Sequence, residues 1–165
     1  LPKNKNKRNR NVIIFGDISV DENFEICKAL SEIKDSLKKN YIFYFKPHPT
    51  LHNKYINIIK KRYSFLKLLD NNVNYNNFNY AICCGTTSAI IESLYFNIQT
   101  IVFLGSSNLN LCPFPKEDFN NYAFSKNDIK NFLEKKFKYN CKVESLLNLN
   151  FKYRKWSKLF DKLKI

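Results

Sequence analysis

The chain has no methionine, three glycines and one tryptophan among 165 residues. The missing methionine includes the first position, held by Leu1, so the chain is expected to be a piece of a longer protein. Glycine is too sparse for G-x-G-x-x-G or a Walker lysine loop, which disfavours a dinucleotide or P-loop site. A G-x-S-x-G nucleophile elbow is missing too. The two histidines, His48 and His52, and the five cysteines, Cys27, Cys83, Cys84, Cys112 and Cys141, show no zinc-ligand or C-x-x-C spacing. No metal site or cofactor is expected. An odd cysteine count, with Cys83 and Cys84 adjacent inside an apolar run, reads as reduced thiols in the cytoplasm. No apolar run approaches the roughly 20 residues of a membrane-spanning helix. No signal peptide is visible, although a start upstream of Leu1 leaves room for one.

Against these absences stand a hydrophobic content of 44% and an aromatic content of 16%, enough to build a core and to argue against disorder. The net charge is +14, from 28 basic and 14 acidic residues. That balance suits nucleic acid, an anionic membrane surface or an anionic substrate. A bland source is equally open, because Lys, Asn, Ile, Tyr and Phe are the residues AT-rich codons favour. No RNP-like or helix-turn-helix pattern supports nucleic acid.

Residues 1–11 are basic, polar and aperiodic, and read as a linker or tail. An alternation of elements follows. VIIF at 12–15 is a strand ending at Gly16-Asp17. Ser19 and Glu22 have capping-box spacing, and Ile26, Leu30, Ile33 and Leu37 then recur with helical period. YIFYF at 41–45 is a strand buried on both faces, broken by KPHPT. A second helix holds Tyr55, Ile58, Ile59 and Arg62, and residues 65–69 make a short strand. The Asn-rich stretch 71–79 is a connection with no assigned structure. YAICC at 80–84 is a strand, 86–96 a helix and QTIVFL at 99–104 a strand. Residues 122–124 form a small strand, and Ser125 and Asp128 open a helix with Ile129, Leu133 and Phe137 inward. The last segment, 151–165, places Trp156, Leu159, Phe160 and Leu163 on one face of a basic helix. Strands alternating with helices predict an α/β fold with a parallel sheet covered on both faces, spanning residues 12–150.

In such sheets ligands bind at the carboxyl ends of the strands, where two motifs fall. Gly85-Thr86-Thr87-Ser88 follows a buried strand and opens a helix. Gly85 permits close backbone approach, and the unpaired N–H groups of a helix start, with three hydroxyls, suit an anion. The same residues are also ordinary helix caps. Glu92, one turn after Ser88, is placed to accept ribose hydroxyls, or is a solvated helical carboxylate. In KPHP, Pro47 and Pro49 bracket His48 and restrict its backbone. A histidine so framed could donate to or protonate a phosphate oxygen, with Lys46 adding a point charge. A structural turn is the competing reading.

KPHP, followed some 35 to 40 residues later by YAICC and then GTTSAIIESLYFNIQTIVF, resembles the C-terminal, nucleotide-binding half of GT-B glycosyltransferases. The resemblance covers about residues 12–103. It is nearest in look to sialyl- and polysialyltransferases and to capsule and teichoic-acid polymer enzymes of bacterial surface-carbohydrate assembly. It implies a Rossmann-like sheet, a CMP- or UDP-linked nucleotide-sugar donor and a cell-surface glycan acceptor. His48 would contact the donor phosphate and assist departure of the nucleotide. Thr86, Thr87 and Ser88 would hold phosphate, and Glu92 would match the carboxylate of the following helix. The general base would belong to an N-terminal GT-B domain outside this chain, toward which the helix at 151–165 would pack. Such an enzyme would be cytoplasmic, with peripheral contact to an anionic membrane as an open alternative. A non-hydrolysing nucleotide-sugar epimerase and a CDP-glycerol-type polymer transferase share the architecture, and a non-catalytic basic module remains the third class.

Overall fold

A computed structural model describes residues 10–38, 40–70, 72–86, 88–106, 110–112, 114 and 119–134. Six strands carry the fold: β1 (Asn11–Phe15), β2 (Ile42–Lys46), β3 (Leu66–Leu68), β4 (Tyr80–Cys84), β5 (Gln99–Phe103) and β6 (Tyr122–Ala123). Four helices connect and follow them: α1 (Val20–Ile33), α2 (Asn53–Arg62), α3 (Ala89–Tyr95) and α4 (Lys126–Glu134). The strands form one sheet in the order β3-β2-β1-β4-β5-β6, and every pairing is parallel. This is a Rossmann-like α/β fold. The segment 151–165 and Phe137 lie outside the described residues. Among the described residues no helix is long and apolar enough to cross a membrane.

The apolar runs explain why these strands are central. In β1 and in the last four residues of β4 every side chain is buried, so both faces must be covered. Pleating sorts the side chains into two cores. Val12, Ile14, Phe43, Phe45, Ile82, Ile101 and Phe103 face one way and meet Ile26 and Leu30 of α1, Ile59 of α2 and Ile129 and Phe132 of α4. Ile13, Phe15, Ala81, Cys83 and Val102 face the other way and meet Ile90 and Leu94 of α3, with Phe78 and Phe119 from connections. Connections that step toward β3 thus lie on one face and those that step toward β6 on the other, as one crossover hand requires.

This ordering makes a switch point. The chain runs outward from β1 to β3, then restarts on the other side of β1 with β4. Adjacent connections therefore leave the carboxyl ends of β1 and β4 on opposite faces, opening a crevice between them.

Several local readings need correction. The helix expected at 86–96 begins only at Ala89; Gly85, Thr86 and Ser88 are turn residues before it, and Ser88 makes no side-chain cap bond. The first helix ends at Ile33 and continues as a single 3-10 turn, Lys34–Ser36. The capping box is half made. Ser19 Oγ accepts the Glu22 N–H at 3.4 Å, but the Ser19 N–H is taken by Asp17 Oδ1 at 2.8 Å. The Asn-rich connection contains one 3-10 turn, Tyr75–Asn77.

Candidate functional site

KPHP and the start of α3 meet at the switch point. An open pocket of about 200 Å³ is lined by Phe15 and Gly16 from the end of β1, by Lys46, Pro47, His48 and Pro49 after β2, and by Ser88, Ala89 and Glu92 of α3. Of the residues singled out in the sequence, Lys46, His48, Ser88 and Glu92 share this lining. Gly85 and Thr86 stand beside the pocket and outside its lining, and Thr87 lies outside the described residues. The volume is below the roughly 300–1,000 Å³ of sites that enclose whole drug-sized ligands, so the pocket has room for no more than part of such a molecule.

Gly16 allows the two strand ends to approach. Its N–H donates to Lys46 O at 2.8 Å. A Cβ at this position would meet Asn23 Oδ1 and Phe45 Cζ at 2.9 Å and the His48 backbone N at 3.2 Å. The KPHP turn can therefore lie directly on the end of β1 only because residue 16 has no side chain.

His48 is held in one orientation. The Thr50 N–H donates to its Nδ1 at 3.2 Å, and Leu51 N–H donates to its carbonyl at 2.9 Å. Nδ1 also lies 2.7 Å from Thr50 Oγ1, and accepting from the Thr50 N–H favours the tautomer that carries its proton on Nε2. Nε2 is then a donor for an oxyanion. His52, which the sequence left without a role, caps α2: its Nδ1 accepts the Lys54 N–H at 3.1 Å.

The second cluster joins Lys46, Tyr75 and Glu92. Lys46 Nζ donates to Tyr75 Oη at 2.5 Å and pairs with Glu92 Oε2 at 3.3 Å, while Tyr75 Oη donates to the same Glu92 oxygen at 2.7 Å. The Tyr75 ring stacks on Phe15 at 6.1 Å and meets Phe96 at a tilt at 4.8 Å, and Lys46 Nζ lies 5.4 Å from the Phe15 centroid and 5.2 Å from that of Tyr75. Partial burial works against the Lys46 charge, but the Tyr75 hydrogen bond and the Glu92 carboxylate outweigh it and raise its pKa. Burial raises the Tyr75 pKa as well, with the hydrogen bond to Glu92 adding to this and Lys46 opposing it. Lys46 is thus a fixed cation in a partly desolvated wall of the pocket.

A third group fastens the ends of β1 and β4. Asp17 is 1% exposed; its Oδ1 accepts the Ser19 N–H, and its Oδ2 accepts the Thr86 hydroxyl. The Thr86 hydroxyl therefore gives its proton to the protein, and as a ligand contact it could only accept. This corrects the expectation that all three hydroxyls of GTTS add donors. Asn23, fully buried, holds the Asp17 turn through Oδ1 and Nδ2. Asp17, Glu22 and Cys84 also present ligand atoms within 4.8 Å of one another. Both Asp17 carboxylate oxygens are already taken up as acceptors, Oδ1 by the Ser19 N–H and Oδ2 by the Thr86 hydroxyl.

Nothing in the residue pattern marked Asp17, Asn23 or Tyr75 as site residues. Asp17 read as half of a Gly-Asp turn, Asn23 as one polar helical residue and Tyr75 as part of a connection. Comparison with family models and with curated proteins finds no match to this chain.

Proposed function

We propose that this chain is the donor-binding half of a glycosyltransferase that moves a sugar, sialic acid or a related one, from a CMP- or UDP-linked nucleotide to a cell-surface glycan. The observation that carries this reading is the convergence of Lys46, His48, Ser88 and Glu92 on one pocket at the carboxyl ends of β1, β2 and β4. A cation, an imidazole N–H and a hydroxyl suit phosphate oxygens, and the carboxylate suits ribose hydroxyls.

In the proposed reaction the anomeric C–O bond to the nucleotide phosphate breaks and a bond to an acceptor hydroxyl forms. His48 donates through Nε2–H to the departing phosphate oxygen, and Lys46 stabilises its growing charge. A base in the N-terminal GT-B domain, outside this chain, takes the acceptor proton. The proposed setting is the cytoplasm, peripheral to an anionic inner membrane face. It is supported by the +14 charge and by the free thiols of Cys27, Cys83, Cys84 and Cys112.

Calorimetric titration of the chain with CMP, CDP and UDP tests the reading. At least one should bind, and Lys46→Ala should weaken it about tenfold or more. If none of the three binds, or if both Lys46→Ala and His48→Ala leave affinity unchanged, the reading is wrong.

A further inference from the structure

The Lys46 ammonium, the one cation lining the described pocket, already holds an anion of the protein. Glu92 Oε2 sits 3.3 Å from Nζ, and Tyr75 ties the pair together by accepting from Lys46 and donating to Glu92. The two ends of this chain of contacts differ in freedom. The Tyr75 ring is in contact with both Phe15 and Phe96, and the Lys46 side chain is 18% exposed, whereas that of Glu92 is 51% exposed. Glu92 is therefore the member that can swing away.

We infer that Tyr75 and Glu92 form a latch over Lys46 that makes the pocket selective for phosphate esters of polyols, such as ribose phosphates, over bare phosphate anions. The inference rests on the phosphate-binding reading above and names what that site rejects. An arriving phosphate competes with Glu92 for Lys46 and meets carboxylate repulsion. A bare anion has only acceptor oxygens and nothing to offer the displaced carboxylate. A ligand that carries vicinal hydroxyls donates to it, so the carboxylate exchanges its Lys46 and Tyr75 partners for the two hydroxyls of the ligand. Tyr75 is a positioning residue here. Its hydroxyl fixes which Glu92 oxygen faces Lys46, and its ring holds that hydroxyl in place.

The test compares UDP with inorganic pyrophosphate, by calorimetry, on the full chain and on Glu92→Gln and Tyr75→Phe. Far-UV circular dichroism and thermal melting verify the fold of each variant. Glu92→Gln keeps the size and removes the charge, and Tyr75→Phe keeps the ring between Phe15 and Phe96. In the wild type UDP should bind more tightly than pyrophosphate. In Glu92→Gln pyrophosphate should bind about three- to tenfold more tightly, because a half-exposed like charge is removed, whereas UDP should gain less or lose affinity, because its ribose hydroxyls then meet a neutral amide in place of a carboxylate, so the ratio of the two affinities shifts toward pyrophosphate. Tyr75→Phe should move the ratio of the two affinities the same way by a smaller factor. If UDP binds, depends on Lys46, and the ratio is unmoved in Glu92→Gln, the latch is refuted and the phosphate site stands. If UDP and CMP bind neither the wild type nor the variants, the phosphate site is refuted and the latch with it.

Discussion

Replacing Asn23 with alanine should destabilise the fold by about 2–4 kcal/mol, an effect out of proportion to one polar residue on a helix. Asn23 is 0% exposed and makes three hydrogen bonds to backbone: Oδ1 accepts the Asp17 N–H at 2.8 Å, and Nδ2 donates to Asp17 O and Ser19 O, each at 2.7 Å. Asp17 is itself 1% exposed, so its N–H and carbonyl have no route to water when Asn23 is cut back. Each buried group left unpaired costs about 1–3 kcal/mol, whereas the Ser19 carbonyl, at a half-buried residue, can recover a water. Alanine returns up to about 0.7 kcal/mol through its helix propensity. Urea unfolding followed by circular dichroism measures the difference, and the midpoint should fall with little change in slope. Ser19→Ala, which loses one long cap bond of 3.4 Å, is the control and should cost about 1 kcal/mol or less. An Asn23→Ala protein within about 0.5 kcal/mol of wild type would refute the claim that Asn23 holds the turn.

Gly16→Ala should destabilise by about 1–3 kcal/mol and also weaken nucleotide binding, since its Cβ presses on Asn23, Phe45 and the His48 backbone; paired unfolding and binding curves check both effects. Gly105→Ala should cost about 1–2 kcal/mol, read from the same unfolding midpoint, because φ is +52° and its Cβ would lie 2.7 Å from a Glu25 carboxylate oxygen. That carboxylate binds the Ser106 N–H and hydroxyl, so Glu25→Gln should loosen the same loop and raise its amide exchange. Alkali should destabilise the fold. Burial pushes the Cys27 thiol and the Tyr41 hydroxyl each up to about 12. A raised pKa favours the protonated form in the fold, so this stability is complete below the unfolded values of 9.0 and 10.0 and is lost as pH rises toward 12. The stability gap between wild type and Cys27→Ala should accordingly narrow between about pH 9 and about pH 12.

The sheet was legible because its central strands β1 and β4 are unbroken apolar runs, a pattern that follows from burial on both faces; β2, expected to be buried on both faces, buries only Phe43 and Phe45 and leaves Ile42 exposed and Tyr44 half-buried, because it lies nearer the edge of the sheet. The two motifs were legible because Pro and Gly punctuate the strand ends. The Lys46–Glu92 contact was invisible for a physical reason: 46 residues separate its partners, and the β3-β2-β1-β4 order brings them together. Tyr75 was hidden by a connection rich in Asn, where no period marks a residue as inward. The Thr86 hydroxyl pointed to a ligand in the sequence, but Asp17, 69 residues away, claims its proton.

The most direct test of the site is to follow backbone amide chemical shifts of the labelled chain during titration with UDP and with CMP. Saturable shifts are expected at Gly16, His48, Ser88 and Glu92, at the carboxyl ends of the strands, with little change at Asn11 and Tyr80 at the amino ends of β1 and β4. Shifts confined to those amino ends, or to the exposed face of α2, would contradict the proposed site.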